Sequence, residues 1–127
     1  MKIFEDKDDW DGKVNFVDCN NVFIGYDIHE SYCEDAGWFI SEKIEPYDDD
    51  EDYDSRNAPD VESYAFDIEF FENVDSDDLD EGGMSVFKMI SKGLPDLFLH
   101  LFNSHNGYYH HGFAVKVDDK IIREGDL

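Results

Sequence analysis

Positive charge is what this chain has least of. Ten Lys/Arg stand against 33 Asp/Glu in 127 residues, a formal net charge of −23. Long-range repulsion on that scale opposes binding to a nucleic-acid backbone or an anionic leaflet, so neither nucleic acid nor membrane is an expected direct partner. Cysteine is almost absent, with two residues. Without an export signal they read as reduced, cytosolic thiols, with a Cys19–Cys33 bridge left open. No apolar run approaches the ~20 residues that cross a bilayer. The opening Met1-Lys2-Ile3-Phe4-Glu5-Asp6 places acid where a signal peptide needs its apolar stretch. Gly-rich phosphate loops, Walker patterns, nucleophile elbows, C-x-x-C and H-x-x-x-H are all missing, which leaves the motif-bearing enzymes without support.

What is present is a foldable core. Apolar residues make up 41% and aromatics 16%, too many for a disordered acidic tail. The length predicts a single domain, 1–127, that buries roughly two-thirds of its unfolded surface. The charge is unevenly distributed. Residues 1–44 carry eleven acids and four bases, residues 45–81 seventeen acids and only Arg56, and residues 82–127 five of each. A uniform solubilising coat would not be segregated in this way. The tract Tyr-Asp-Asp-Asp-Glu-Asp-Tyr-Asp at 47–54, followed by Pro59, predicts a mobile acidic loop over residues 46–60, inserted between two strands.

Most of the remainder reads as strand. Val14–Asp18 and Val22–Ile28 flank Cys19-Asn20-Asn21, a hairpin signal. Trp38–Ile44 follows. Tyr64–Val74 alternates, predicting Tyr64, Phe66, Ile68 and Phe70 on one face and Asp67 and Glu69 on the other. Val86–Ile90 and Leu97–Phe102 are separated by a Gly93–Pro95 turn, and these two residues argue against one long helix over 86–101. Asn106-Gly107 is a hairpin signal, and Phe113–Val117, Asp118-Asp119 and Lys120–Arg123 form a last hairpin. Residues 30–37 predict about two helical turns stopped by Gly37. The expected fold class is α+β, mainly β: a single antiparallel, meander-like sheet of about seven strands with at most one or two short helices.

The carboxylates carry the functional signal. An EF-hand register starting at Asp48 fails, because Tyr53 stands where the loop needs Gly and Pro59 where it needs Glu. Paired carboxylates of hydrolase type are unavoidable in so acidic a chain and therefore carry no specificity. His29-x-x-x-Cys33 has helical ligand spacing, but the imidazoles and thiols form no zinc pattern. No metal, cofactor or catalytic residue is expected. Acids interleaved with aromatics supply steering and anchors for a basic protein. The partner-binding residues are therefore expected to be Tyr47, Asp48, Asp49, Asp50, Glu51, Asp52, Tyr53 and Asp54, Asp67 and Glu69 on the strand, and Asp75, Asp77, Asp78, Asp80 and Glu81 in the next turn. His105, Tyr108, Tyr109, His110 and His111 form a second candidate set at a hairpin end.

Two segments bear a resemblance. Asp27-x-x-x-x-x-Cys33-Glu34-x-Ala36-x-Trp38-Phe39 and Phe102-Asn103-Ser104-His105-Asn106-Gly107-Tyr108-Tyr109-x-His111-Gly112-Phe113 resemble small uncharacterised proteins of bacteria and their phages. Some of these are similar to immunity proteins encoded beside polymorphic or contact-dependent toxins. The resemblance implies a bacterial cytoplasmic binder and transfers no active site. Joined to the charge, it leads to the expectation of a non-enzymatic, immunity-type inhibitor of a basic toxin domain, a nuclease. A phage nucleic-acid mimic that blocks a restriction or CRISPR effector is the alternative.

Overall fold

The computed structural model describes residues 1–6, 12–29, 34–74, 76–105, 107 and 109–127. Among them are nine strands: β1 (Lys2–Asp6), β2 (Lys13–Val17), β3 (Val22–Asp27), β4 (Asp35–Ser41), β5 (Ala65–Val74), β6 (Gly83–Ile90), β7 (Leu97–Ser104), β8 (Gly112–Val117) and β9 (Lys120–Asp126). Two single 3₁₀ turns, Tyr53–Ser55 and Asp77–Leu79, are the helical content of the described residues. The β-rich class holds, but the single sheet does not. The strands divide into a five-stranded antiparallel sheet, β1-β2-β3-β8-β9, and a four-stranded one, β4-β7-β6-β5.

The local turns form where the residue types demand. Asn21 takes φ 58° between β2 and β3, and Asp118 and Asp119 take φ 50° and 67° between β8 and β9, as tight hairpins require. Gly93 turns β6 into β7 at φ 79°. The Asn106-Gly107 expectation fails differently: Gly107 has φ 102°, but β7 and β8 belong to different sheets, so the segment is a crossing and not a hairpin. Gly37 stops no helix; it lies within β4, while residues 30–33 are outside the described ones.

The sheets pack face to face. Val14, Phe16, Ile24, Tyr26, Phe113 and Val115 of the first meet Phe66, Phe87, Met89, Leu97, Leu99 and Leu101 of the second in one core. Each such side chain contributes about 1.5–3 kcal/mol on burial. Polar links also cross between the layers. Tyr26 Oη donates to the Phe102 carbonyl at 2.7 Å, and Asp18, buried at the β2–β3 turn, accepts the Phe66 amide on Oδ2 at 2.9 Å. Asp18 Oδ1 also accepts the amides of Asn20 and Val22.

The alternation expected along β5 breaks midway. Asp67 is paired with Lys88, but the next partner of β6, Phe87, faces Phe71. The intervening residues 68–70 bulge out. Ile68 is consequently exposed and Phe70 packs on Phe98, whereas Phe71 turns inward against Phe87 and Phe113. A bulge shifts every later side chain to the opposite face.

Order β4-β7-β6-β5 is a Greek key: three hairpin-linked strands with β4 beside the last of them. The connection from β4 to β5, residues 42–64, therefore has to travel from one edge of the sheet to the other. That connection contains the acidic tract.

Candidate functional site

The outer face of the four-stranded sheet is apolar where the crossover passes it. Phe39 on β4, Met84 on β6 and Phe102 on β7 project there, and Tyr47, Tyr53 and Leu79 close over them as a second small core. Gly37 makes room: a Cβ at that position would stand 2.9 Å from the Phe102 ring. Tyr53 stacks on Phe39 at 4.5 Å, and Phe39 stacks on the buried His100 at 4.1 Å. The tyrosine hydroxyls are also engaged. Tyr47 Oη donates to Asp35 Oδ2 at 2.7 Å, and Tyr53 Oη accepts the Asp48 amide at 2.9 Å. Burial, followed by the Asp35 carboxylate, pushes the Tyr47 phenol well above its ordinary range.

This corrects the expectation that the two tyrosines anchor a partner. With 4% and 8% of their surface exposed, they anchor the tract to its own sheet. Arg56, the one base of residues 45–81, is likewise turned inward. Its guanidinium forks onto both oxygens of Glu45 at 3.1 and 3.2 Å, reaches Glu51 at 3.0 Å and lies over the rings of Phe39 and Tyr53. The Arg56 hydrogen bonds hold the Glu45 carboxyl below its usual range. The only positive charge of the segment is thus spent on internal pairs.

What remains outside is acid. Asp48, Asp49, Asp50, Glu51, Asp52 and Asp54 are exposed, as are Asp78, Asp80 and Glu81 of the β5–β6 turn. Leu79 pins that turn into the same small core. Ser104 Oγ donates to the Asp78 carbonyl and the Glu81 amide to the His105 carbonyl, so the turn is tied to β7. Two acidic segments some thirty residues apart in sequence meet here. The Asp49 carboxyl is raised above its ordinary range, with the Asp78 carboxylate as the largest cause. Asp48, Asp49 and Asp50 each bring an oxygen within 4.8 Å of the others; all three are exposed, an arrangement common in acidic loops that hold no ion.

The other expected residues are scattered. Asp67 Oδ1 accepts the Glu69 amide at 3.2 Å, so this pair shapes the β5 bulge. Asp75 and Tyr108 lie outside the described residues, and of Asp77 the structure describes only the backbone of its turn. Of the second set, His110 is exposed and Tyr109 half-buried, but His105 and His111 are interior at 2% and 3% exposure and offer no surface to a partner. His105 Nδ1 accepts the Gly107 amide. His111 Nδ1 donates to the Asp27 carbonyl at 2.6 Å, and its Nε2 faces Oε1 of the buried Glu34 at 3.4 Å.

Among the interior polar residues that sequence reasoning missed are Asp18, His100 and Glu34. His100 donates from Nδ1 to the Phe98 carbonyl and accepts the Glu45 amide on Nε2, and burial lowers its pKa to about 4. Each has one partner at least 48 residues away in sequence, and no local pattern marks such a pairing. No known protein family, curated protein or solved structure matches this chain.

Proposed function

We propose that this protein is an acidic inhibitor of the immunity type. It binds a basic toxin domain, a nuclease, and covers the face that holds phosphates. One observation carries the reading: the 48–54 tract and the 78–81 turn are held in one small core through Tyr53 and Leu79, with the carboxylates of both segments exposed. A nuclease has to be positive where it grips its substrate, so an inhibitor gains association rate and complementarity by being negative there. Fixing the tract through Tyr47, Tyr53 and Arg56 lowers the ordering cost of binding. The grouping of acids over one sheet face supports a patch-forming inhibitor over an elongated nucleic-acid mimic.

The test is growth protection against basic nuclease toxin domains co-expressed with this chain, with binding kinetics measured on the same pairs. The wild type is expected to protect. The variant with Asp48, Asp49, Asp50, Asp78 and Asp80 changed to Asn is expected to fold, to associate about 10- to 100-fold more slowly at low salt, and to lose salt dependence. Unchanged kinetics in that variant would overturn the reading.

A further inference from the structure

Alternation along the five-stranded sheet turns one set of residues away from the core. Register puts Asn15, Gly25, Ala114 and Glu124 side by side in an outward row across β2, β3, β8 and β9. Phe23 and Lys116 are partners in the outward row on one side of it, and Lys13 and Asp27 in the row on the other. Gly25 and Ala114 give the middle row its smallest side chains, so an open trough of about 840 Å³ lies between the flanking rows. It is about 13 Å wide from Phe23 to Asp27 and about 14 Å long from Asn15 to Glu124.

Functional groups converge on this floor. A Cβ at Gly25 would stand 3.1 Å from the Phe23 ring and 3.1 Å from Asn15 Oδ1, and one at Gly112 would stand 3.3 Å from Asp126 Oδ1. The Phe23 ring therefore leans along its own strand over Gly25, with the Asn15 amide beside it, and the Asp126 carboxylate leans over Gly112. Lys116 Nζ stands 5.7 Å from the Phe23 ring centroid. Among the described residues, the side chains of Asn15 and Asp126 have no hydrogen-bond partner and the Lys116 ammonium has no ion pair. Around the trough Lys13 and Lys116 face Asp27, Glu124 and Asp126, close to balance in a chain of net charge −23.

We propose that this trough binds a neutral, β-linked oligosaccharide. A sugar ring with equatorial hydroxyls has an apolar face of axial C–H bonds and a polar rim. The slightly positive C–H face seats on the negative face of the Phe23 ring. The rim hydroxyls donate to Asn15 Oδ1 and to the Asp126 carboxylate, and accept from Asn15 Nδ2 and Lys116 Nζ. Other ligand classes fit less well. An anionic sugar or a phosphate meets three carboxylates and the field of the whole chain. A wholly apolar ligand strips water from Asn15, Asp126 and Lys116 and gives nothing back. A basic segment finds far more negative charge at the 48–54 tract. The trough lies on the opposite side of the sandwich from that tract, so the inference goes beyond the inhibitor reading and does not depend on it.

The probes are cellotriose and N-acetylated chitotriose, each titrated into the full isotope-labelled chain and followed by NMR amide shifts. Saturable binding of at least one of them is expected, with a dissociation constant of about 1 mM or tighter and the largest shifts at Asn15, Gly25, Gly112 and Ala114. Phe23→Leu keeps the bulk and removes the platform, and should weaken binding about tenfold with native amide dispersion. Ala114→Arg, which projects from the sheet and fills the trough, should abolish it, and Asn15→Ala should weaken it without disturbing the fold. The variant with Asp48, Asp49 and Asp50 changed to Asn should bind the sugars as the wild type does, which separates this site from the acidic patch. Saturation by neither sugar, undiminished binding by natively folded Phe23→Leu, tighter binding of the anionic trigalacturonate, or shifts centred away from the trough would overturn the proposal.

Discussion

Tyr53 is the residue on which the acidic tract depends, and its removal can be sized from its surroundings. The side chain is 8% exposed, stacks on Phe39 at 4.5 Å and lies 4.9 Å from the Phe102 ring. Truncating a buried aromatic to Ala costs about 3–5 kcal/mol. The crossover, which covers this core together with Leu79, has room to settle into the cavity, so about 3 kcal/mol is expected for Tyr53→Ala. At this chain length that corresponds to a fall in melting temperature of about 10 °C. Tyr53→Phe keeps the stack and removes only the acceptor of the Asp48 amide, a loss of about 1 kcal/mol. Changing Asp48, Asp49, Asp50, Asp52 and Asp54 to Asn should leave stability equal or raise it, by relieving like-charge repulsion. Urea unfolding of the three variants beside the wild type is the assay. If Tyr53→Ala unfolds within about 0.5 kcal/mol of the wild type, a size typical of surface substitutions, the tract does not share the core and the account of the acidic patch falls with it. By the same reasoning, exchanging residues 47–57 for a Gly/Ser linker should destabilise the fold, since Tyr47 and Tyr53 would both go.

Asp18→Asn should destabilise by about 2 kcal/mol, because an amide group turned toward the Phe66 amide leaves that buried donor unpaired; a denaturation midpoint equal to wild type would refute the role given to Oδ2. His100 is neutral in the fold, its pKa lowered to about 4 from an unfolded value near 6.5. The unfolded chain therefore binds the extra proton, and His100 contributes stability above pH 6.5 that is lost as the pH falls toward 4. His100→Gln should remove that component, so the difference in stability between wild type and variant should narrow across this window by about 2–3 kcal/mol; a constant difference would be evidence against a neutral buried imidazole. At Gly82 a Cβ would stand 1.8 Å from the Asn103 carbonyl oxygen, a backbone atom that cannot swing aside, so Gly82→Ala should cost about 3 kcal/mol or more; a variant melting within 2 °C of wild type would show that the turn has another packing.

The amino-acid sequence by itself determined most of the strands from β2 onward, the turns at Asn21, Gly93 and Asp118-Asp119 and the place where charge concentrates, because each of these is local; it gave no sign of β1. Period-two alternation marks Val14 to Val17 and Phe113 to Val117, and residues that tolerate positive φ sit at Asn21, Gly93 and Asp118-Asp119. Residues 84–90 and 97–103 were harder to read, since both faces of β6 and β7 are largely buried and continuous burial erases the period. The tertiary structure decided what depends on distant neighbours: the partition into two sheets, the reversal of faces at the β5 bulge, and the interior positions of Asp18, Glu34, His100 and His111. Above all it decided the fate of Tyr47 and Tyr53. In sequence they are aromatics among acids, equally suited to a partner's surface or to the chain's own. The Greek-key crossover carries them over Phe39 and Phe102, where burying two rings is worth more than leaving them in water. The carboxylates between them cannot follow, because an unpaired charge costs several kcal/mol to desolvate, and so the same segment that closes the small core presents its acids to the outside.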